Sequence, residues 1–194
     1  MKTYFYILIS IVLVSCKKDD TSVIFVLPSK TQTGQNTFGF LLNSQVWTNY
    51  GQVCFPFAGG CRENLTGVYY TNDGNIQIRA DKVLYKSGQW DTNENLDLTL
   101  TTNFRGTETY STLTNDTIGI GYWFSAQGQP KRTYLLSRTH PSFNIIITKF
   151  DTTNKILSGE FSGKLFRRLS DTSIATSTTD SLLISNGRFD LRLN

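Results

Sequence analysis

Leu96-Asp97-Leu98-Thr99-Leu100-Thr101 decides the fold. Three leucines alternate with polar residues, so an extended chain carries an apolar face on one side and a wet face on the other. A helix would scatter the same leucines around its circumference. The alternation recurs in both directions along the chain. Phe38, Phe40 and Leu42 share a parity, as do Ile76, Ile78 and Ala80. Further on come Ile118, Ile120, Tyr122 and Phe124, then Phe143, Ile145 and Ile147, then Leu157, Phe161 and Leu165. Last, Phe189, Leu191 and Leu193 stand opposite Arg188, Asp190 and Arg192. Turn-forming residues separate these runs at Asn72-Asp73-Gly74-Asn75, Ala126-Gln127-Gly128-Gln129-Pro130 and Asp151-Thr152-Thr153-Asn154. Many short half-buried strands with turn punctuation predict an all-β domain, an antiparallel β-sandwich or an open β-barrel. At most one short helix is expected, near Glu63 to Leu65, and Ser170 to Ser181 reads as a polar loop between the last two strands.

Composition agrees. The 194 residues hold 13 Phe, 9 Tyr and 3 Trp but one Met and one His, a balance that favours strands. The formal net charge of +4 comes without a dense basic cluster. Arg167-Arg168 and Lys131-Arg132 read as solvated strand ends, so no nucleic-acid partner is expected.

The first residues follow different physics. Lys2 precedes an uncharged apolar stretch, Tyr4 to Val14, that is too short to span a bilayer, which takes roughly 20 residues. Leu13-Val14-Ser15-Cys16 then resembles the cleavage and lipidation site of a bacterial lipoprotein signal. The next residues, Lys17-Lys18-Asp19-Asp20, resemble the surface-export signal of Bacteroidota-type lipoproteins, with Lys18, Asp19 and Asp20 as the matching positions. These resemblances imply a signal peptide over residues 1–15, a lipidated Cys16 with a flexible tether over 16–35, and one β domain over 36–194. They also imply lipid anchoring at the outer membrane, on the cell surface.

Cys54 and Cys61 bracket Phe55-Pro56-Phe57-Ala58-Gly59-Gly60. In an oxidising compartment, two cysteines around a Pro- and Gly-containing loop predict a local disulfide that displays Phe55 and Phe57. Half of a metal site is the rival, but there is no second Cys pair and His140 stands alone.

Two patches resemble small lipoproteins of Bacteroidota-type bacteria: Phe38-Gly39-Phe40-Leu41-Leu42-Asn43-x-x-Val46-Trp47 at one end, and Ser158-Gly159-Glu160-Phe161-Ser162-Gly163 with Ser185-Asn186-Gly187-Arg188-Phe189-Asp190 at the other. The resemblance implies an all-β envelope lipoprotein and carries no chemistry with it. Gly39, Gly159 and Gly163 beside aromatics suggest rings lying over strands that lack side chains. Gly187 to Asp190 suggests a fixed turn into the C-terminal strand.

Catalytic constellations are nearly absent. His140, ahead of Pro141, suits a surface turn better than a general base. No Ser sits in a Gly-x-Ser-x-Gly elbow. Asp81, Asp97, Glu108 and Glu160 are the carboxylates from which a glycosidase pair would be drawn, but strand carboxylates usually face solvent, so no enzyme is expected. Asp91-x-Asn93-x-Asn95-x-Asp97 offers alternate oxygens to calcium, yet Leu96 and Thr102 stand where a calcium loop needs Gly and Glu. A polar turn leading into the Leu96 strand explains these letters more simply, and neither metal nor cofactor is expected.

The aromatics carry the functional expectation. Trp47, Trp90 and Trp123, with Tyr50, Tyr69, Tyr70 and Tyr122, exceed what one face of a small core buries. Exposed planar rings stack on sugar faces, so Trp90, Trp123, Tyr50 and Tyr70 are the candidate ligand-binding residues, Trp90 first. The expected function is a lipid-anchored, non-catalytic protein that binds an extracellular ligand such as a glycan. The alternative is an accessory protein that contacts another envelope protein through Phe55 and Phe57. Asp116-Thr117-Ile118, Asp151-Thr152-Thr153 and Asp180-Ser181-Leu182 also match the three-residue O-glycosylation pattern of that bacterial group.

Overall fold

The computed structural model describes residues 23–55, 60–86, 89–101, 104–114, 118–137, 140–169 and 180–194. Cys16, Lys18, Asp19, Asp20, Phe57, Asp116 and Thr117, the side chain of Phe55, and most of the Ser170–Ser181 loop lie outside the described residues.

The chain is all-β. In order its strands are β1 (Thr37–Leu42), β2 (Gln45–Thr48), β3 (Val53–Phe55), β4 (Gly60–Arg62), β5 (Leu65–Tyr70), β6 (Asn75–Lys86) and β7 (Gln89–Leu100). Then come β8 (Thr109–Ser111), β9 (Ile118–Ala126), β10 (Arg132–Leu135), β11 (Asn144–Asp151), β12 (Ile156–Arg167) and β13 (Ser181–Arg192). The main sheet runs β2-β1-β13-β12-β10-β9-β7-β6-β5; β10 pairs with the C-terminal end of β12, β11 pairs with its N-terminal part, and β8 lies beyond β11. Every strand pairing is antiparallel. The sheet curls into a half-barrel. Near its closing side the Asn194 amide donates to Gly67 O of β5 at 2.9 Å.

The alternating residues fill the inside of the curl. Phe38, Phe40, Ile76, Ile78, Ala80, Leu96, Leu98, Phe143, Ile145, Leu157 and Leu165 are fully buried there. Phe40 stacks on Trp47 at 4.7 Å and Phe38 meets Phe161 at 5.1 Å; such pairs each add about 1 kcal/mol beyond area burial. Glycine opposite phenylalanine tightens the β12–β13 seam. Gly159 pairs with Phe189 and Phe161 with Gly187, and a Cβ on Gly159 would lie 2.5 Å from the Phe189 ring. The rings therefore lie over bare backbone, as the Gly-aromatic spacing suggests.

Three local expectations are corrected. Leu65 opens β5 in place of a helix, because Thr66, Val68 and Tyr69 are strand formers whose partners wait on β6. Gly187 to Asp190 lies inside β13, with a bulge at the left-handed Asn186 (φ 51°) standing where a turn was expected. Asp91 to Asp97 is likewise strand, since every residue of Gln89–Leu100 except Asp91, which is bulged out between Trp90 and Thr92, pairs with β6 or β9.

Residues 28–35, within the stretch expected to be tether, lie against the β domain. Asp190, 1% exposed, accepts hydrogen bonds from Thr31 Oγ1 (2.6 Å), from Ser158 Oγ (2.8 Å) and from the amides of Thr33, Gly34 and Gln35. Lys30 pairs with Glu160 at 2.6 Å, and Arg188 donates to Pro28 O. Residues 28–36 are thus a strap held on the outside of β12 and β13. Burial pushes the Asp190 carboxyl up, but the hydrogen bonds from Thr31, Ser158, Gly34 and Gln35 outweigh it and hold the group below the usual carboxylate range.

A depressed folded value stabilises the fold above the unfolded carboxylate pKa of about 3.9 and is lost as pH falls through the folded value. Asp190→Asn is expected to lower stability by about 2–3 kcal/mol at pH 7, and the gap should narrow toward pH 2. Denaturant melts of both proteins across that range check this; a gap that stays constant would contradict it.

Candidate functional site

The two faces of the β6–β7–β9 region differ in chemistry. Toward the interior, Lys82 and Glu94 stand opposite each other in register, with Lys82 Nζ 3.5 Å from Glu94 Oε1. Trp47 Nε1 donates to Glu94 Oε2 at 2.7 Å, and the Tyr122 hydroxyl donates to the same oxygen. Burial, reinforced by the Glu94 charge, pushes the Tyr122 hydroxyl far above its ordinary value. The Phe25 ring covers the Lys82 ammonium at 4.5 Å. Trp47 and Tyr122 therefore belong to the core, each with its polar atom tied down.

Toward the outside, the odd-numbered positions of β6 and β7 make a polar floor. Arg79, Asp81 and Val83 stand beside Asp97, Asn95 and Asn93, and β9 adds Gly121, Trp123 and Ser125 in register. The wall is the β3–β4 hairpin. Cys54 and Cys61 face each other across it with their sulfurs at bonding distance, a local loop closure worth about 2–3 kcal/mol.

Asp81 fastens the wall to the floor. Its carboxylate, 1% exposed in the whole residue, is gripped by Arg62 at both oxygens, Nη1 at 2.7 Å and Nη2 at 3.0 Å. Asn95 Nδ2 donates to it at 2.9 Å. The backbone adds Tyr50 N to Asp81 O at 3.0 Å and Asp81 N to Asn64 O at 2.7 Å. Residues 50–52 thereby cover the stretch of β6 that the shorter β5 leaves open.

Between floor and wall runs a groove. One half, a cleft of 610 Å³, is lined by Gln52, Val53, Tyr85, Gln89, Trp90 and Gln127 among others. The other half, 660 Å³, is lined by Arg62, Arg79, Asp97, Trp123 and Lys131 among others. Val53, Asn93 and Ser125 belong to both, so the halves are continuous.

Trp90 is 45% exposed and Trp123 is half-buried. A Cβ on Gly121 would come 2.6 Å from Trp123 Cη2, so the indole lies back over Gly121, the residue paired with Asp97. Burial raises the Asp97 carboxyl; Arg79 beside it lowers it, and Asp81 raises it again. Of the four buried side-chain polar atoms without a hydrogen-bond partner among the described residues, Arg79 Nε, Asp81 Oδ2 and Asp97 Oδ1 sit together here. Asp81 Oδ2 still has its ion pair with Arg62, while Arg79 Nε stays 3.5 Å from Asp81 and 3.8 Å from Asp97.

The structure thus brings Trp90 and Trp123 to one groove, together with the oxygens of the Asn93, Asn95 and Asp97 run. It separates the other two candidates. The Tyr50 ring packs edge-on against Phe25 at 5.3 Å. Tyr70 is exposed at the end of β5, its hydroxyl donating to Gln77 at 3.3 Å. Of the four carboxylates considered for catalysis, Glu108 pairs with Arg105, Glu160 pairs with Lys30, and Asp81 and Asp97 share the groove. No group of three or more His, Cys, Asp or Glu side chains among the described residues is arranged to hold a metal ion. Comparison with family models, with curated proteins and with solved structures returns no match.

A raised folded pKa at Asp97 means that stability is present at low pH and is lost as pH rises from the unfolded value through the folded one. Asp97→Asn is therefore expected to melt at or above the native protein at pH 7, with the difference closing toward pH 4. Melting temperatures across that range check this; a variant that melts lower at pH 7 would show that the Arg79 contact outweighs the burial.

Proposed function

We propose that this chain is a lipid-anchored outer-membrane protein, displayed on the cell surface, that holds an extracellular glycan in the outer groove without cleaving it. The observation that carries this reading is the pairing of Trp90 and Trp123 along one groove whose floor is amides, hydroxyls and carboxylates. Sugars present apolar ring faces and polar edges. Indole planes suit the faces, and Asn, Gln, Asp and Arg side chains suit the hydroxyls. Asp81 is held by Arg62 and Asn95, so among the described residues lining the groove Asp97 has no second free carboxylate to work with, which favours holding over hydrolysis. The anchor rests on Cys16 and the export signal on Lys18-Asp19-Asp20, as read in the sequence.

Tryptophan fluorescence of the purified full chain, titrated with soluble polysaccharides, tests the groove. Trp90→Ala and Trp123→Ala are each expected to weaken binding by about tenfold or more, with the Trp90→Ala melting temperature unchanged. Binding that survives both substitutions would place the ligand elsewhere. For the address, protease applied to intact cells should cleave the native protein and spare a variant with Lys18, Asp19 and Asp20 changed to Ala; protection of both would contradict surface display.

A further inference from the structure

The two halves of the groove differ in charge, and this narrows the ligand. None of the described residues lining the Trp90 half is charged; Gln52, Gln89, Asn93, Ser125 and Gln127 supply its polar groups. The Trp123 half holds five charged residues, but four of them answer one another. Arg62 is spent on Asp81, and Arg79 lies between Asp81 and Asp97. Lys131 is exposed and has no ion-pair partner among the described residues. An anionic ligand would find one unmatched cation beside a carboxylate that already carries a desolvation cost.

The atoms left facing the groove set a second limit. Arg79 Nε and Asp97 Oδ1 are buried against each other, yet the Arg79 and Asp97 side chains are 43% and 23% exposed. The polar atoms these two side chains have left to offer the groove are the guanidinium Nη groups and Asp97 Oδ2. One set only donates and the other only accepts. A pair of adjacent hydroxyls satisfies both at once, since one oxygen accepts from Arg79 while its neighbour donates to Asp97. The Trp123 indole lying over Gly121 supplies the apolar plane beside them.

Length is the third limit. Trp123 pairs with Asn95, and Trp90 stands five positions back along β7 on the same outer face, opposite Tyr85. Asp91 is a bulged extra residue between them, so the β6 partners Asp81 and Tyr85 are only four positions apart, and at ~3.3 Å per residue the two strand positions are roughly 13 Å apart. No single sugar ring covers that span.

We propose that the groove takes a linear, neutral oligosaccharide that runs from Trp123 to Trp90, with Asp97 and Arg79 reading a pair of adjacent hydroxyls at the Trp123 end. This rests on the glycan reading given above and specifies its ligand. The test is calorimetric titration of the full chain with linear neutral gluco-, manno-, galacto- and xylo-oligosaccharides from single sugars to hexasaccharides, alongside oligogalacturonides of the same lengths. At least one neutral series should gain about tenfold or more in affinity between disaccharide and tetrasaccharide and exceed the acidic series at every length. Trp90→Ala should remove the gain with length while leaving disaccharide binding in place. Asp97→Asn, and Gly121→Ala, which pushes the indole off its seat, should weaken even the disaccharide. Preference for the acidic series, or affinity that does not rise with length, would overturn this proposal and leave a glycan groove standing. Binding to no oligosaccharide of any charge would overturn both.

Discussion

The buried carboxylate of Asp81 is the constraint on which the site depends. A curled antiparallel sheet has a smooth outer face, and a smooth face has nowhere to hold a ligand. Asp81 changes that by pulling Arg62, and with it the β3–β4 hairpin, down onto β6 and β7. A half-buried pair of this kind adds little net stability against an apolar substitute, but removing one partner leaves an uncompensated charge where the hairpin meets the sheet. Its value here is position. The hairpin is internally closed by Cys54–Cys61 and tied to the floor by Arg62, so the protein itself sets the position of the wall. Preorganisation of this sort lowers the ordering cost of binding.

The rest of the fold supplies the frame. Rings over glycines at the β12–β13 seam bring strands close enough for a continuous aromatic core, and the strap bound by Asp190 closes their outer face. Both features sit away from the groove in the sheet order, so the site has its own local fastening on a scaffold held independently.

Much of the scaffold is legible in the sequence, because period-two alternation and turn chemistry are local properties. The Leu96, Ile76 and Phe189 runs become β7, β6 and β13 with the expected parity inside. Trp90 is exposed as anticipated, and Cys54 meets Cys61. What escapes is whatever depends on distant partners. Asp190 lies on the outward parity of its strand, where a carboxylate normally meets water; only the strap 155 to 159 residues earlier in the chain makes it a hub. Asp81 reads the same way until the hairpin covers it. The Asp91–Asp97 run resembles a turn by composition, yet pairing of Thr92 to Asp97 on both edges overrides that propensity and lays the oxygens of Asn93, Asn95 and Asp97 along one strand face. One signal was within reach. Lys82 and Glu94 share parity with Ala80 and Leu96, and opposite charges on two apolar registers point to a buried pair.

The central claim is that Asp81 holds the groove's wall locally and does not hold up the fold as a whole. Amide hydrogen exchange on the native chain and on Asp81→Asn measures this directly. Faster exchange confined to residues 50–54 and 60–64, with β12 and β13 keeping their native protection, is the predicted result. Acceleration spread evenly over every strand, or no change in the hairpin, would contradict it.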